Sequence, residues 1–182
     1  MLLQDSHTSY KKDKSMAEEA RKDLDALDLL MQDHREMESL FSEFEYLQQN
    51  GADTAGVIES ACAELTIHDA LENDLFYPAM SDAADAEEIQ ALLDEAEDAH
   101  DGVLDLIEEL EQLDPDVAKR NACFGLLAER VKQHILQEET ELFPRARTLE
   151  RLDLDVLATH MKTRKSELMT KAELAELTEA SV

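Results

Sequence analysis

The sequence repeats itself with a spacing of 66 residues, and this repeat restricts the chain to folds built from two similar halves. The segment His68-Asp-Ala-Leu-Glu72-Asn-Asp-Leu-Phe-Tyr-Pro78 aligns without a gap with His134-Ile-Leu-Gln-Glu138-Glu-Thr-Glu-Leu-Phe-Pro144. His34 and His100 are separated by the same 66 residues. Each half therefore supplies one His, then a His-x-x-x-Glu pair followed by Pro, and the sequence predicts two copies of one helical hairpin around a pseudo-symmetric site.

Composition favours helices throughout the chain. Gly and Pro number only 4 and 3 among 182 residues, and aromatic residues make up 4%. A sandwich or barrel of β-strands needs many turns and many β-branched or aromatic residues, so an all-β fold is excluded. The sequence predicts an all-α protein.

Four long periodic segments are predicted to be helices, at residues 23–49, 53–77, 85–113 and 114–143. Asn50-Gly51 ends the first, whereas Pro78 and Pro144 are expected to end the second and fourth because Pro cannot continue a helix interior. Asp85 with Glu88 forms a capping box, and Asp114-Pro115 reads as an N-cap with Pro at the first helical position. Short loops between long helices predict an up-down-up-down antiparallel four-helix bundle.

The chain is expected to form one domain with a tail at each end. Residues 1–20 mix polar and charged types without a clear period and predict a flexible tail, within which Met16 is an alternative start. A short fifth helix is expected over residues 155–169. The domain is therefore placed at residues 21–170, and residues 171–182 are expected to form a C-terminal tail.

The chemically informative residues are four His and two Glu on the apolar faces of the predicted helices. Each is three or four residues from an apolar neighbour, so these side chains point into the core: His34, His68, Glu72, His100, His134 and Glu138. Buried carboxylates are costly unless they are paired, hydrogen-bonded or bound to metal. A positive charge is therefore expected between the two Glu.

Height along the bundle gives an independent test of this cluster. Two residues of an antiparallel hairpin lie at the same level when the centre of the loop falls midway between them. The midpoint of His34 and His68 is Gly51, and the other two midpoints also fall in or beside predicted loops, at residues 84 and 117. The four His are therefore expected to form one layer, which predicts a metal site.

The number of ligands indicates which kind of site this is. Four imidazoles and two carboxylates exceed the four ligands of a tetrahedral zinc site and suit two ions, each with two His, bridged by both Glu. Imidazole and carboxylate donors with an unfilled position favour iron, with manganese and zinc as alternatives. The order and spacing differ from the Glu-x-x-His pattern of ferritin-like proteins.

The two His-x-x-x-Glu pairs are followed by Tyr77-Pro78 and Phe143-Pro144. Together these motifs resemble the hemerythrin-like (HHE cation-binding) family over residues 23–170. The resemblance implies two iron ions in an oxo- or hydroxo-bridged non-haem centre inside a four-helix bundle. It also implies that one iron binds dioxygen or a related small molecule. By motif match the six family ligands are His34, His68, Glu72, His100, His134 and Glu138.

Two departures from the oxygen-carrying members argue against reversible oxygen carriage. Leu104 stands where the carriers have a second His on the third helix, and Glu138 follows His134 where they have Asp five residues on. We therefore expect a protein that binds or senses dioxygen or nitric oxide in oxidative or nitrosative stress. The alternative is an iron-holding or stress-response interaction protein whose metal is mainly structural. No catalytic residue is predicted, although weak peroxide or nitric-oxide redox activity is compatible with the site, and residues 1–20 lack the Cys of the iron–sulfur repair members.

Several other polar residues are expected to lie outside the site. Asp69 is about 100° around its helix from His68 and is expected to face solvent. Tyr46 and Tyr77 are assigned to packing at helix ends. Surface positions are expected for His7 and His160, and small core positions for Cys62 and Cys123.

Net charge limits the possible partners. With 17 Lys+Arg against 44 Asp+Glu, the formal charge is −27, which repels nucleic-acid phosphates and anionic lipid headgroups. The sequence contains neither a recognisable secretory signal nor a run of about 18 apolar residues, the length needed to span a bilayer. Its two Cys are too few to predict a disulfide framework. A cytoplasmic protein is expected, with dioxygen or nitric oxide as its ligand and a protein partner left open.

Overall fold

The computed structural model describes residues 24–84, 87–113 and 116–179, and every regular element in these ranges is helical. This confirms the all-α prediction. Two π-helical segments, here called the first and second π turns, span Glu72–Phe76 and Glu138–Leu142. The α-helices are α1 (Ala26–Gln49), α2 (Ala55–Leu71), α3 (Tyr77–Ala83), α4 (Glu87–Gln112), α5 (Val117–Gln137), α6 (Phe143–Ala146) and α7 (Leu154–Glu179).

The predicted helix ends before Pro78 and Pro144 are wrong, because α2 continues through the first π turn into α3, and α5 through the second into α6. In each case the backbone N–H of the residue before Pro bonds five residues back, from Tyr77 to Glu72 and from Phe143 to Glu138. The wider π turn shifts the hydrogen-bond register by one residue. Each Pro then falls in the first turn of a new α-helix, where its missing N–H is tolerated.

Helix ends elsewhere follow ordinary capping chemistry. Asp25 caps α1 in a capping box with Asp28, and Gly51, with a φ of 64°, lies just beyond its C-terminus as predicted. The N-cap of α5 is Asp116 rather than the predicted Asp114, and its side chain accepts from the Lys119 N–H. The predicted cap residues at 85 and at 114–115 lie outside the described residues.

The core is divided into two apolar clusters on either side of the candidate residues. The first, here the Phe76 cluster, includes Leu30, Phe76, Phe143 and Met161. The second, the Phe124 cluster, includes Met37, Phe41, Phe124 and Leu127. On α1, His34 stands between Leu30 of one cluster and Met37 of the other. The polar residues therefore occupy one layer within an apolar interior, as the loop midpoints predict.

The fifth helix is longer than predicted. It spans Leu154–Glu179 instead of residues 155–169, and so enters the segment expected to be a C-terminal tail. It packs on α1 and α2 and buries Leu157, Ala158 and Met161 in the Phe76 cluster. None of the helices in the described ranges has the length and apolar character needed to cross a bilayer.

Candidate metal centre

The structure brings together all six predicted site residues in the layer between the two apolar clusters. None of the six side chains is more than 6% exposed, and His34, Glu72 and Glu138 are almost fully buried. Their possible ligand atoms form two groups, each within 4.8 Å of one another. The first ligand group is His34, His68, Glu72 and Glu138, and the second is Glu72, His100 and His134. Glu72 belongs to both groups.

The Nε2 atoms of the four His face the two carboxylates. His68 Nε2 and His100 Nε2 each lie 3.1 Å from Glu72 Oε2. On the other carboxylate, Glu138 Oε2 lies 3.3 Å from His34 Nε2 and 3.4 Å from His134 Nε2. Two ligand atoms at right angles, each about 2.1 Å from an ion, are roughly 3 Å apart. The spacings in this layer are therefore compatible with ligand atoms that share an ion.

Unpartnered buried atoms give a second test of whether these residues fit a metal. His34 Nε2, His68 Nε2, Glu72 Oε1 and Glu138 Oε2 are buried and have no hydrogen-bond partner. Buried polar atoms are rarely left unpaired, and a metal ion would satisfy these four at once. The donor set therefore fits metal ions, with nitrogen and oxygen donors that suit iron.

Three of the four His have a carboxylate near the outer ring nitrogen, Nδ1. His34 Nδ1 lies 3.0 Å from Glu139, His100 Nδ1 lies 2.9 Å from Asp69, and His68 Nδ1 lies 3.8 Å from Asp33. His134 Nδ1 is buried without a partner. Such carboxylates fix the tautomer and the ring orientation of a ligating His.

These contacts correct one prediction and add residues that the sequence reasoning missed. The prediction that Asp69 faces solvent is wrong, because its side chain is only 21% exposed and contacts His100. Asp33 and Glu139 were not predicted. Each of the three carboxylates is adjacent in sequence to a site residue, yet serves a His on a different helix.

Tyr77 lies inside the centre, so its assignment to helix-end packing is wrong. Its hydroxyl donates to Glu138 Oε1 at 2.8 Å and lies 3.2 Å from Glu72 Oε2. It is also 3.3 Å from His100 Nε2. Tyr46, in contrast, is 67% exposed near the end of α1, so it neither joins the centre nor packs as predicted.

The two halves differ at this position. Phe143, which the repeat aligns with Tyr77, has no hydroxyl and stacks on His34 with ring centroids 5.6 Å apart and planes 8° apart. The polar contact to the carboxylates therefore comes from one side only, and the pseudo-symmetry is broken within the centre itself.

The two carboxylates dominate the electrostatics of the layer. Burial by itself would lower the pKa of His68, but the negative charge of Glu72 and the neighbouring Asp33 raise it to about 10. Burial likewise opposes protonation of His100, but Asp69 and Glu72 raise its pKa to about 9. Burial and the charges of Glu72 and Glu138 raise the pKa of Tyr77, so its hydroxyl keeps its proton. The layer attracts positive charge, which protons or metal ions can supply.

Comparison with known families settles the relationship. The sequence model of the hemerythrin HHE cation-binding domain matches residues 25–146, from the cap of α1 to the end of α6. The chain belongs to this family. No curated protein and no solved structure gives a significant match.

A small cavity adjoins the candidate ligands of this HHE domain. Its volume is about 20 Å³, and it touches His68, His100 and His134 but not His34. Asp69 and a shell of apolar side chains complete its wall: Met37, Leu65, Val103, Leu104, Val131 and Ile135. Leu104, the residue that replaces the second His of the oxygen carriers, therefore lines this cavity.

The remaining candidate residues of the HHE protein lie elsewhere. His160 is exposed on α7, as predicted. Cys123 is buried and Cys62 half-buried, and burial raises the pKa of the Cys62 thiol to about 11, which leaves it unreactive. His7 and Met16 lie outside the described residues.

Proposed function

We propose that this HHE protein is a non-haem di-iron protein that binds or senses a small diatomic ligand, dioxygen or nitric oxide. The cavity beside His68, His100 and His134 is the observation that carries the proposal. It places a small open space directly against three of the candidate ligands. A site with a purely structural metal has no need of such a space.

The size and polarity of the cavity limit what it can hold. A volume of about 20 Å³ is close to that needed for one water-sized molecule, so a diatomic molecule fits and a larger substrate does not. Six apolar side chains form most of its wall, and such a wall favours a neutral gas over an anion or a hydrogen-bonded substrate. The cavity therefore favours ligand binding over catalysis on an organic substrate.

Two irons per chain, at the six candidate ligands, are part of the proposal. The two ligand groups each contain two His and share Glu72, which supports two adjacent ions rather than one. Bound iron would supply redox-active positions at which a diatomic ligand coordinates. Around it, the chain holds the four imidazoles in place, the Tyr77 hydroxyl donates a hydrogen bond to Glu138, and the apolar wall excludes water.

We further propose that the four long helical units form an up-down-up-down antiparallel bundle around this layer. The units are α1, α2–α3, α4 and α5–α6. α1 packs against α2, and α4 against α5, across short connections. His34 lies beside His68 and His100 beside His134, with ring centroids 5.0 and 4.5 Å apart. Residues at matching distances from a loop thus meet, as antiparallel neighbours do.

Metal analysis followed by gas titration tests the proposed function. We expect freshly purified protein to contain about two irons per chain. We also expect the reduced protein to change its visible spectrum when dioxygen or nitric oxide is added. Iron that stays spectrally silent toward both gases would support the iron-holding alternative. Zinc, or less than one iron per chain after iron loading, would contradict the di-iron proposal itself.

A further inference from the structure

Helix α7 lies beyond residues 25–146, the part of the chain that matches the family, yet it reaches the metal layer. Lys165 on α7 donates to Asp33 Oδ1 at 2.7 Å. The other oxygen of Asp33 is the one that lies 3.8 Å from His68 Nδ1. Lys165, Asp33 and His68 therefore form a chain of contacts from α7 to the first ligand group.

Lys165 fixes the carboxylate of Asp33. Asp33 is only 8% exposed, and a buried carboxylate is unfavourable without a partner. Lys165 supplies both the charge and the hydrogen bond, and its Nζ also lies 3.8 Å from Glu64. Without Lys165, the Asp33 carboxylate would be drawn toward solvent and away from the imidazole.

The orientation of His68 shows why this carboxylate matters. His68 Nε2 faces Glu72, so Nδ1 must carry the ring proton when Nε2 is a ligand. Nδ1 is buried and has no hydrogen bond, and Asp33 is the carboxylate on its side of the ring. Asp33 Oδ2 lies 3.8 Å from His68 Nδ1, and Lys165 holds the other oxygen of the same carboxylate.

The two ligand groups differ in this outer support. In the first group both His are backed by a carboxylate that a cation holds, since Arg35 donates to Glu139 at 2.6 Å beside His34. In the second group, Asp69 beside His100 is held by the neutral Asn73 at 2.9 Å. The fourth imidazole, that of His134, has no carboxylate at Nδ1.

The repeat explains why His134 lacks support. Asp33 stands one residue before His34, and the corresponding residue before His100 is Ala99. Ala99 lines a surface groove together with His134 and Arg130. The groove also holds the carboxylates of Glu95 and Asp98, but neither bonds to His134 Nδ1, and the position that corresponds to Asp33 has no carboxylate.

We propose that Lys165, acting through Asp33, is a positioning residue for His68, and that the metal position at His34 and His68 is consequently the tighter of the two. This inference rests on the proposed function for the presence of metal. Carboxylate partners raise the basicity of a ligating imidazole and fix its direction, and their loss typically weakens metal binding about 10- to 100-fold. Helix α7 then contributes directly to the metal centre and does not only pack against the bundle.

The test compares matched variants of the full chain. The protein is loaded with Co²⁺ under anaerobic conditions and challenged with increasing chelator while its visible spectrum reports the bound ion. We expect two separate steps of metal loss for the unmodified chain. Asp33→Asn should weaken the tighter step about 10- to 100-fold, and Lys165→Met should weaken it by up to about tenfold. Neither should move the weaker step.

Two controls separate positioning from simple docking of α7. Lys162→Met changes another lysine on the same helix, which donates to the Leu24 carbonyl at 3.4 Å, and should leave both steps in place. Arg164→Gln removes the two hydrogen bonds that α7 donates to Asp74 Oδ2 but leaves Lys165 unchanged. It should also preserve the ratio of the two steps.

A substitution that strengthens metal binding provides a test that loss of folding cannot mimic. Ala99→Asp restores the missing carboxylate beside His134 and should tighten the weaker step, which brings the two steps together. The inference is overturned if Lys165→Met matches Lys162→Met, or if both steps weaken equally in Lys165→Met. If the unmodified chain retains no metal, the proposed function fails first. Two tightly bound ions with no effect of Lys165→Met would leave that function standing and remove only the inference.

Discussion

The hydroxyl of Tyr77 is expected to stabilise the metal layer by an amount that a single substitution can measure. Tyr77→Phe keeps the ring, which is 1% exposed, and removes only the oxygen that donates to Glu138 at 2.8 Å and adjoins Glu72. The change creates no cavity comparable to a lost side chain. Its effect therefore reports the hydrogen bond to a buried carboxylate.

The expected magnitude follows from that contact. A hydrogen bond to a charged group contributes about 1.5–3 kcal/mol to the free energy of unfolding. In a chain of this size, 1 kcal/mol shifts Tm by about 2–4 °C. Tyr77→Phe should therefore lower the Tm of chelator-treated protein by roughly 3–12 °C, measured by circular dichroism at neutral pH, where Tyr77 keeps its proton.

Tyr46→Phe is the matched control, because it removes the same hydroxyl from a side chain that is 67% exposed. A surface change of this kind should alter the free energy of unfolding by no more than about 0.5 kcal/mol. Equal Tm values for Tyr77→Phe and Tyr46→Phe would refute the reasoning. They would mean that the contacts of Tyr77 to the two carboxylates add nothing to stability.

Three further results are expected. Leu104→Phe should fill the cavity and slow the spectral response to nitric oxide at least severalfold without lowering iron content; an unchanged rate would place the ligand elsewhere. His68→Ala should reduce metal affinity by more than about tenfold, whereas His160→Ala should leave metal content unchanged, as measured by mass spectrometry. Burial tends to raise the pKa of Asp25, but hydrogen bonds from the Asp28 N–H and from Arg147 outweigh it, so the pKa is lowered on folding. The ionised Asp25 carboxylate therefore stabilises the fold above about pH 4, and this stabilisation is lost as the pH falls through the lowered pKa. The Tm deficit of Asp25→Ala, equivalent to about 1 kcal/mol at neutral pH, should therefore shrink in acid; a deficit that stays constant down to pH 2 would contradict this account.

The six candidate ligands could be predicted because each follows the helical period. His34 and His68 lie three or four residues from buried apolar side chains, and the repeat supplied their counterparts at 100 and 134. Two independent patterns, the apolar period and the loop midpoints, converge on the same layer. Among the described residues, the two candidate ligand groups contain no residue beyond the six that these patterns predict.

Tyr77 could not be predicted from an α-helical period. Five residues after Glu72 in a regular α-helix, a side chain points about 140° away from it. In the first π turn the Tyr77 N–H bonds to the Glu72 carbonyl, which returns Tyr77 to the same face. Pro at 78 and 144, six residues after each Glu, was the available signal, since it marks where an unbroken α-helix would be strained.

The carboxylates around the centre were missed for a different reason. Asp33, Asp69 and Glu139 each stand beside a site residue and look like ordinary surface charges in a chain with 44 acidic residues. Which of them turn inward depends on the neighbouring helix and on a partner such as Lys165, 132 residues away along the chain. Sequence periodicity describes one helix at a time and contains no information about such contacts.

The two π turns act as phase shifts between the part of each helix that carries ligands and the part that closes the core. Each fits one extra residue into a turn, so the residues after it lie about 100° from where an unbroken α-helix of the same sequence would place them. The buried residues placed in this way are Phe76, Tyr77 and Met80 in one half and Leu142, Phe143 and Ala146 in the other. Deleting one residue from either turn would restore an unbroken α-helix with more regular hydrogen bonds. The closing segment would stay in phase with its ligands, because Tyr77 or Phe143 would then stand four residues after the Glu. Pro78 or Pro144, however, would lie in the interior of a regular α-helix, where its ring clashes with the carbonyl four residues back. The π turn and the Pro that follows it are therefore linked: the turn absorbs one extra residue without moving the closing segment, and the Pro disfavours the regular helix that would replace the turn.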